Sequence, residues 1–349
     1  MEAVLFVGHG SKDTGGNDEV RAFVEAMAEG LDVPIVETCF LEFEPPGMKT
    51  GMETCIRRGA SRIAIIPIML FAAGHAKIHI PAAIDDMKLK YPHIEFLYGR
   101  PVGIHDLVVD ILKARMIEAG CLNETGDAGE AIARQSETAI LVIGRGSSDP
   151  DANSDLFKMS RLLWERMNVK FVETAFIGVT APLMEEGIER CVRLGAKHVF
   201  VMPYFLFTGV LIKRMEELVA GLAGKYPGCD FTLAGYFGLH PVLQDVLKER
   251  AVEALQDEVK MNCSMCQYRI AAMSGIDHHH HDHEHGHSHD HSHDHDHGHS
   301  HDHSHDHDHA HSHDHPHDHH TDHNDDHNRS TDKGAEQAAA SSETKAVQR

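Results

Sequence analysis

The sequence predicts an α/β chain: two copies of a doubly wound βαβα parallel-sheet unit facing each other across a cleft, followed by a disordered histidine-rich tail. Three observations carry this. The first 260 or so residues repeat themselves, each copy alternates short apolar runs with longer amphipathic ones, and the stretch His278–His327 holds almost no apolar residues.

The repeat comes first because it organises the rest. "GHGSKDTGGNDEV", from Gly8, returns 136 residues later as "GRGSSDPDANSDL", from Gly144. "ETCFLEFEPPGMKTGMETCIRRGASRIAIIPIMLF" returns at the same offset as "ETAFIGVTAPLMEEGIERCVRLGAKHVFVMPYFLF". "KYPHIEF" and "KYPGCDF" also correspond, as do Gly103-Ile104-His105 and Gly238-Leu239-His240. A match sustained over so long a span reads as duplication.

In the first copy, Ala3–Val7, Ile35–Phe40, Arg62–Pro67 and Ile94–Tyr98 have the length and β-branched content of strands buried on both faces. Between them Asn17–Gly30, Gly47–Gly59, Ala76–Tyr91 and Ile104–Gly120 have helical periodicity, several closed by glycine. That order implies a parallel sheet covered by helices on both faces. The expected boundaries are residues 1–120 for the first unit and 137–260 for the second, with 121–136 as a polar linker. A Cys-x-x-Cys segment (261–276) and the tail (277–349) follow. Functional groups are expected on loops at the carboxyl ends of the strands.

Charge excludes some partners. Of 54 acidic residues, 14 lie between Asp277 and His327, which holds no Lys or Arg; the remainder carries 40 acids against 32 bases. No basic stripe is left for nucleic acid. No apolar run reaches membrane-spanning length, and "MEAVLFVGHGSKD" lacks the features of a signal peptide. Seven cysteines without scaffold spacing fit a reducing, cytoplasmic setting.

The chemistry gathers at three strand ends. His9 follows the first strand, Glu42 and Glu44 the second, and His75 the third. Two imidazoles with a carboxylate suit a borderline divalent metal such as cobalt, nickel, iron or zinc. Glu42 is preferred to Glu44, since residues at i and i+2 share a face only while the chain stays extended. His79, four residues after His75, is a further candidate ligand or proton relay. At the repeat offset His9 becomes Arg145, Glu42 becomes Gly178, Glu44 becomes Thr180 and His75 becomes Leu211, while Gly10, Ser11, Pro67 and Phe71 keep their counterparts. One active half and one supporting half is the economical reading. "GHGS" is no dinucleotide fingerprint, since Asp13 stands where a third glycine belongs, and no P-loop occurs, so ATP-driven chemistry has no support.

"LFVGHGSKD", "CFLEFEPP" and "IPIMLFAAGHAKIHIP" resemble the ATP-independent tetrapyrrole chelatases. The duplicated chain with its Cys-x-x-Cys and His-rich tract resembles the long form of the sirohydrochlorin cobaltochelatases of anaerobic cobalamin (vitamin B12) biosynthesis. The resemblance implies a chelatase-like fold and insertion of Co²⁺ into sirohydrochlorin. It also implies His9 and His75 as the metal-binding, catalytic histidines, with Glu42 assisting in delivery of the metal or removal of a proton. Where the family's H-x-x-x-D-like stretch has an acid, this chain has His79. Ser11, Lys12, Arg145 and the N-terminal amides of the helices after Gly10 and Gly146 are candidates for the substrate's carboxylates. Sirohydrochlorin ferrochelatase and nickel chelatase are the neighbouring alternatives.

The tail holds 26 histidines between His278 and His327, beginning His278, His279, His280, His281, His283, His285, His287 and His289. Imidazoles beside carboxylates hold divalent ions weakly and exchangeably, which suggests a metal reservoir. Cys263 and Cys266 offer two thiolates: half a zinc site, a redox pair or two ligands of a cluster. The resemblance favours a 4Fe-4S cluster, completed by a second subunit of a homodimer or from elsewhere. Cys39, Cys55, Cys121, Cys191 and Cys229 read as core or linker cysteines. A metal store or metallochaperone, or a periplasmic-type metal-binding protein, are the rival classes.

Overall fold

The computed structural model describes residues 1–121, 128–178 and 180–257, with the backbone alone for 128–131. The Cys-x-x-Cys segment and the histidine tail lie outside these residues. The first half runs β1 (Glu2–Gly8), α1 (Thr14–Ala28), β2 (Ile35–Phe40), α2 (Met48–Arg57) and β3 (Arg62–Pro67), then a π-helical turn (His75–His79) leading into α3 (Ile80–Lys90), β4 (Glu95–Tyr98) and α4 (Asp106–Glu118). After α5 (Ala128–Glu137) the second half runs β5 (Thr138–Gly144), α6 (Pro150–Arg166), β6 (Phe171–Phe176), α7 (Met184–Arg193), β7 (His198–Pro203), α8 (Val210–Lys225), β8 (Asp230–Leu233) and α9 (Pro241–Leu255).

Both sheets are parallel and share one topology, β2-β1-β3-β4 and β6-β5-β7-β8. They also share one register. Leu5 pairs with Glu37 and Ile65, and Leu141 with Glu173 and Val201, each 136 residues on. The central strands are unbroken apolar runs because helices cover both faces. Ala3, Leu5 and Val7 pack toward Met52 of α2 and Ile84 of α3, while Val4 and Phe6 face Phe23 of α1 and Val246 of α9. Fully burying a side chain such as Phe6 is worth about 1.5–3 kcal/mol, so the register is strongly held.

The inner faces of the two sheets meet in one continuous core that includes Val4 and Phe6 of the first half and Ile140 and Val142 of the second. The last helix of each half is lent to the other. α4 packs on β7 and α6, whereas α9 packs on β3 and β4. Arg250, 1% exposed, fixes α9 by donating to the carbonyls of Pro101 at 3.2 Å and Val102 at 3.0 Å. Arg62 Nη1 reaches the carbonyl of Leu255 at 2.6 Å.

The stretch expected as a polar linker, 121–136, carries α5 along most of its length. "AGEAIARQSE" is rich in strong helix formers, which the polar composition had masked. No helix among the described residues is long and apolar enough to cross a membrane.

Candidate metal centre

The order β2-β1-β3 makes the carboxyl end of β1 the place where the chain's crossovers reverse direction, and loops diverge there to leave a crevice. Two hydrogen bonds carry the β1–β2 pairing past both strand ends: Leu41 N–H donates to Gly8 O and Glu42 N–H to His9 O, each at 3.0 Å. Gly10 permits this approach. Its φ is +84°, and a Cβ there would lie 1.8 Å from the carbonyl oxygen of Glu42. His9 and Glu42 are thereby set side by side.

His75 arrives from the third loop on the π-helical turn, which is closed by the Ile80 N–H donating to His75 O. A π turn is rare and tends to sit at functional sites. The ligating atoms of His9, Glu42 and His75 all lie within 4.8 Å of one another. The two imidazoles stand nearly edge to face, at 80° with centroids 4.7 Å apart, and His75 Nε2 is 3.7 Å from Glu42 Oε1.

Hydrogen bonds choose the nitrogens. His9 Nδ1 lies 3.0 Å from Gly10 O; a carbonyl only accepts, so Nδ1 carries the proton and Nε2 keeps the lone pair. Arg145 Nη1 donates to that Nε2 at 3.2 Å. His75 Nδ1 and His79 Nδ1 are 2.8 Å apart. For His75 Nε2 to present a lone pair, its Nδ1–H must donate to His79. His79 is thus placed as the partner that orients a ligand rather than as a member of the triad.

Burial, before any other influence, holds the His75 imidazole below its ordinary value. The neighbouring His9 adds to this, Glu42 opposes it, and His79 and Arg145 add further. His75 is therefore neutral, and free to ligate, at neutral pH.

Not every candidate is brought together. Glu44 is turned out of the site by a three-residue turn in which its N–H donates to Glu42 O at 2.7 Å. Its carboxylate is held instead by Asn17 Nδ2 at 3.0 Å and by Arg21. Ser11 is anchored in its own loop: its N–H donates to Asn17 Oδ1 at 2.8 Å and its Oγ accepts from Asp13 N–H at 3.0 Å, which leaves the hydroxyl proton to donate. The helix N-termini proposed for substrate carboxylates are capped from within, by Asp13 on Gly15 N–H and by Asp149 on Asp151 N–H. Lys12 is exposed, with its ammonium 5.3 Å from the centre of the Phe43 ring. Cys263, Cys266 and the tail histidines lie outside the described residues. The described cysteines are buried, and burial pushes the thiols of Cys55, Cys121 and Cys191 up to about 12.

Two residues at the site escaped the sequence reading. Lys77, between His75 and His79, reaches the other half to pair with the buried Asp149 at 2.6 Å. Phe43 occupies the centre of the Glu42–Glu44 turn with φ +61°. A signal for the first was available. Lys77 and Lys213, like Asp13 and Asp149, stand at equivalent places in the repeat, and charged residues kept in both copies ask for a partner.

The CbiX family model matches residues 3–119 and, a second time, 139–254. The chain belongs to the CbiX family. It is 58% identical over 280 residues to the sirohydrochlorin cobaltochelatase of Priestia megaterium, covering 80% of this chain and 88% of that one. A sirohydrochlorin ferrochelatase of Priestia megaterium is 39% identical over 258 residues, covering 74% and 92%. Among solved structures, SirB from Bacillus subtilis with Fe³⁺ superposes with a TM-score of 0.64 at 34% identity, covering 74% of this chain and 97% of that one. The sirohydrochlorin chelatase SirB from Bacillus subtilis subspecies spizizenii, in complex with cobalt, gives 0.61 at 31%, covering 73% and 96%. The expected chelatase-like architecture of two parallel-sheet units is thus the fold of this CbiX protein.

Proposed function

We propose that this CbiX protein inserts Co²⁺ into sirohydrochlorin without ATP, as a lyase of cobalamin and porphyrin biosynthesis. The observation that carries the reading is the convergence of His9, Glu42 and His75, from three adjacent strand ends, within 4.8 Å. The 58% identical cobaltochelatase supports cobalt as the substrate metal.

Insertion must exchange water on the ion for ring nitrogens and remove two pyrrolic N–H protons. Three protein ligands leave positions open for that exchange, where a closed cage would retain the ion. The lone pairs of His9 Nε2 and His75 Nε2 hold Co²⁺ with Glu42, once Arg145 has swung off the His9 nitrogen. Arg145 Nη1 donates to that nitrogen at 3.2 Å, so the guanidinium competes with the ion for its lone pair and keeps the ion loosely held. As the ion moves to the macrocycle, Glu42 and a vacated imidazole are free to take the two protons and pass them to water.

The histidines from His278 onward, in the same reading, buffer divalent ions for this site. Cys263 and Cys266 supply two of the four thiolates that a 4Fe-4S cluster takes. The remaining ligands come from a second subunit of a homodimer or from elsewhere. The protein acts in the cytoplasm on a soluble tetrapyrrole, with no part for nucleic acid or membrane.

The test is incubation of the protein with Co²⁺ and metal-free sirohydrochlorin, followed by the tetrapyrrole absorption spectrum, with Fe²⁺ and Ni²⁺ in competition. Preferred turnover with Co²⁺ is expected. An unchanged spectrum refutes the reading, and preference for Fe²⁺ moves the protein to the ferrochelatases. Repeating the assay on a chain cut before Asp277 should raise the Co²⁺ concentration needed for half-maximal rate; an unchanged requirement removes the reservoir.

A further inference from the structure

The turn that separates Glu42 from Glu44 carries an aromatic side chain that the metal site does not use. The Glu44 N–H to Glu42 O hydrogen bond closes three residues around Phe43, whose φ of +61° is the left-handed region. A bulky residue there is strained, whereas glycine or asparagine would not be. Burial does not compensate, since Phe43 is 60% exposed. It sits one residue from a metal ligand and touches Lys12 of the loop that carries His9.

We propose that Phe43 is the platform on which the tetrapyrrole lies, with Lys12 pairing to one of the substrate's peripheral carboxylates. The inference rests on the chelatase reading above and deepens it. A flat conjugated macrocycle offers the face that a phenyl ring stacks against. The ammonium now covering the Phe43 ring sits on a flexible exposed stem, and an arriving carboxylate is a better partner for it than the ring face. One substrate therefore satisfies both groups, and the movement of Lys12 uncovers the stacking surface. The strained turn keeps the ring at the rim and aims Glu42 and Glu44 apart. This is preorganisation of the kind that reduces the ordering cost of binding.

Phe43→Ala should raise KM for sirohydrochlorin by about 10-fold, the order that a lost aromatic stack gives, with kcat at saturation little changed. Phe43→Trp should restore KM. Phe43→Gly separates strain from stacking: it suits the backbone, so its Tm should equal or exceed the parent's while KM rises as in Phe43→Ala. Titration with Co²⁺ alone should give the parent's affinity in all three. Unchanged KM in Phe43→Ala overturns the proposal. So does a parallel loss of Co²⁺ affinity that Trp does not rescue, since Phe43 would then act by holding Glu42. Failure of the parent protein to metallate sirohydrochlorin is a different result and counts against the function itself. Fluorescence titration of metal-free sirohydrochlorin still decides Phe43 in that case, equal binding by parent and Phe43→Ala overturning it.

Discussion

The two halves differ least where their loops are built and most where the candidate ligands stand. Asn17 and Asn153 each bridge the backbone of the serine six residues earlier, at 2.8–2.9 Å in both halves. Gly10 and Gly146 hold φ of +84° and +85°, and Asp13 and Asp149 cap the helices that follow. Against that sameness, His75–His79 is a π turn, while the corresponding Leu211–Met215 lies within the regular helix α8. The place of Glu42 is taken by Gly178, where a Cβ would lie 2.6 Å from the carbonyl oxygen of Arg145. Any side chain at that exposed position would meet the backbone of the Arg145 loop. Loops held by backbone hydrogen bonds persist without ligands because their stability never depended on any.

The largest effects should come from erasing that difference. His9→Ala and His75→Ala are each expected to lower cobalt insertion by at least about 100-fold, with an unchanged far-UV circular dichroism spectrum. Near-normal turnover by either variant would mean that the half with the triad is not the working half. His79→Ala should cost less, because it orients His75 without joining the triad.

Most of this contrast was legible in the sequence. Ile35–Phe40 and Arg62–Pro67 have the extents that their β-branched content suggests, and Ala3–Val7 falls one residue short of β1 at each end. The three candidate ligands that converge within 4.8 Å were legible because the repeat offers an internal control. What the sequence hid is non-local. That α4 and α9 exchange sheets depends on inner faces equally apolar in both halves, which periodicity cannot tell apart. The Phe43 turn was hidden too, since "LEFEPP" reads as a strand end and nothing in it announces a left-handed phenylalanine.

A second comparison lies in the ion pairs that cross between the halves. Lys77 reaches Asp149, and its counterpart Lys213 reaches Asp13 at 2.5 Å. The geometry is reciprocal but the burial is not. The Lys77 and Asp149 side chains are 11% and 1% exposed, whereas Lys213 is 60% exposed. Lys77→Met strands a buried carboxylate and should cost about 3–5 kcal/mol, read by urea denaturation. Because Lys77 sits within the turn that carries His75, kcat should fall as well. Lys213→Met, on the solvated pair, should move the urea midpoint far less. Equal effects from the two would show that the second half does not brace the π turn.

The smallest expected effect is a displaced pH profile, and only the half with the triad can give one. His75 has its imidazole lowered from the ordinary 6.5, chiefly by burial, with Arg145 contributing in the same direction. A base lowered in the folded state is protonated more readily when unfolded. Its contribution to stability is therefore complete above 6.5 and is lost as pH falls below that value. The metal needs the same neutral form, so kcat/KM for Co²⁺ should decline on acidification with a midpoint below 6.5. Arg145→Gln removes a positive charge beside the site, which raises the His75 pKa and should move the acid limb toward neutrality. The same loss of charge should favour Co²⁺ binding at neutral pH. A limb that moves the other way in Arg145→Gln would mean that the guanidinium, which stands at the repeat position equivalent to His9, acts through its hydrogen bond to His9 rather than through the charge around His75.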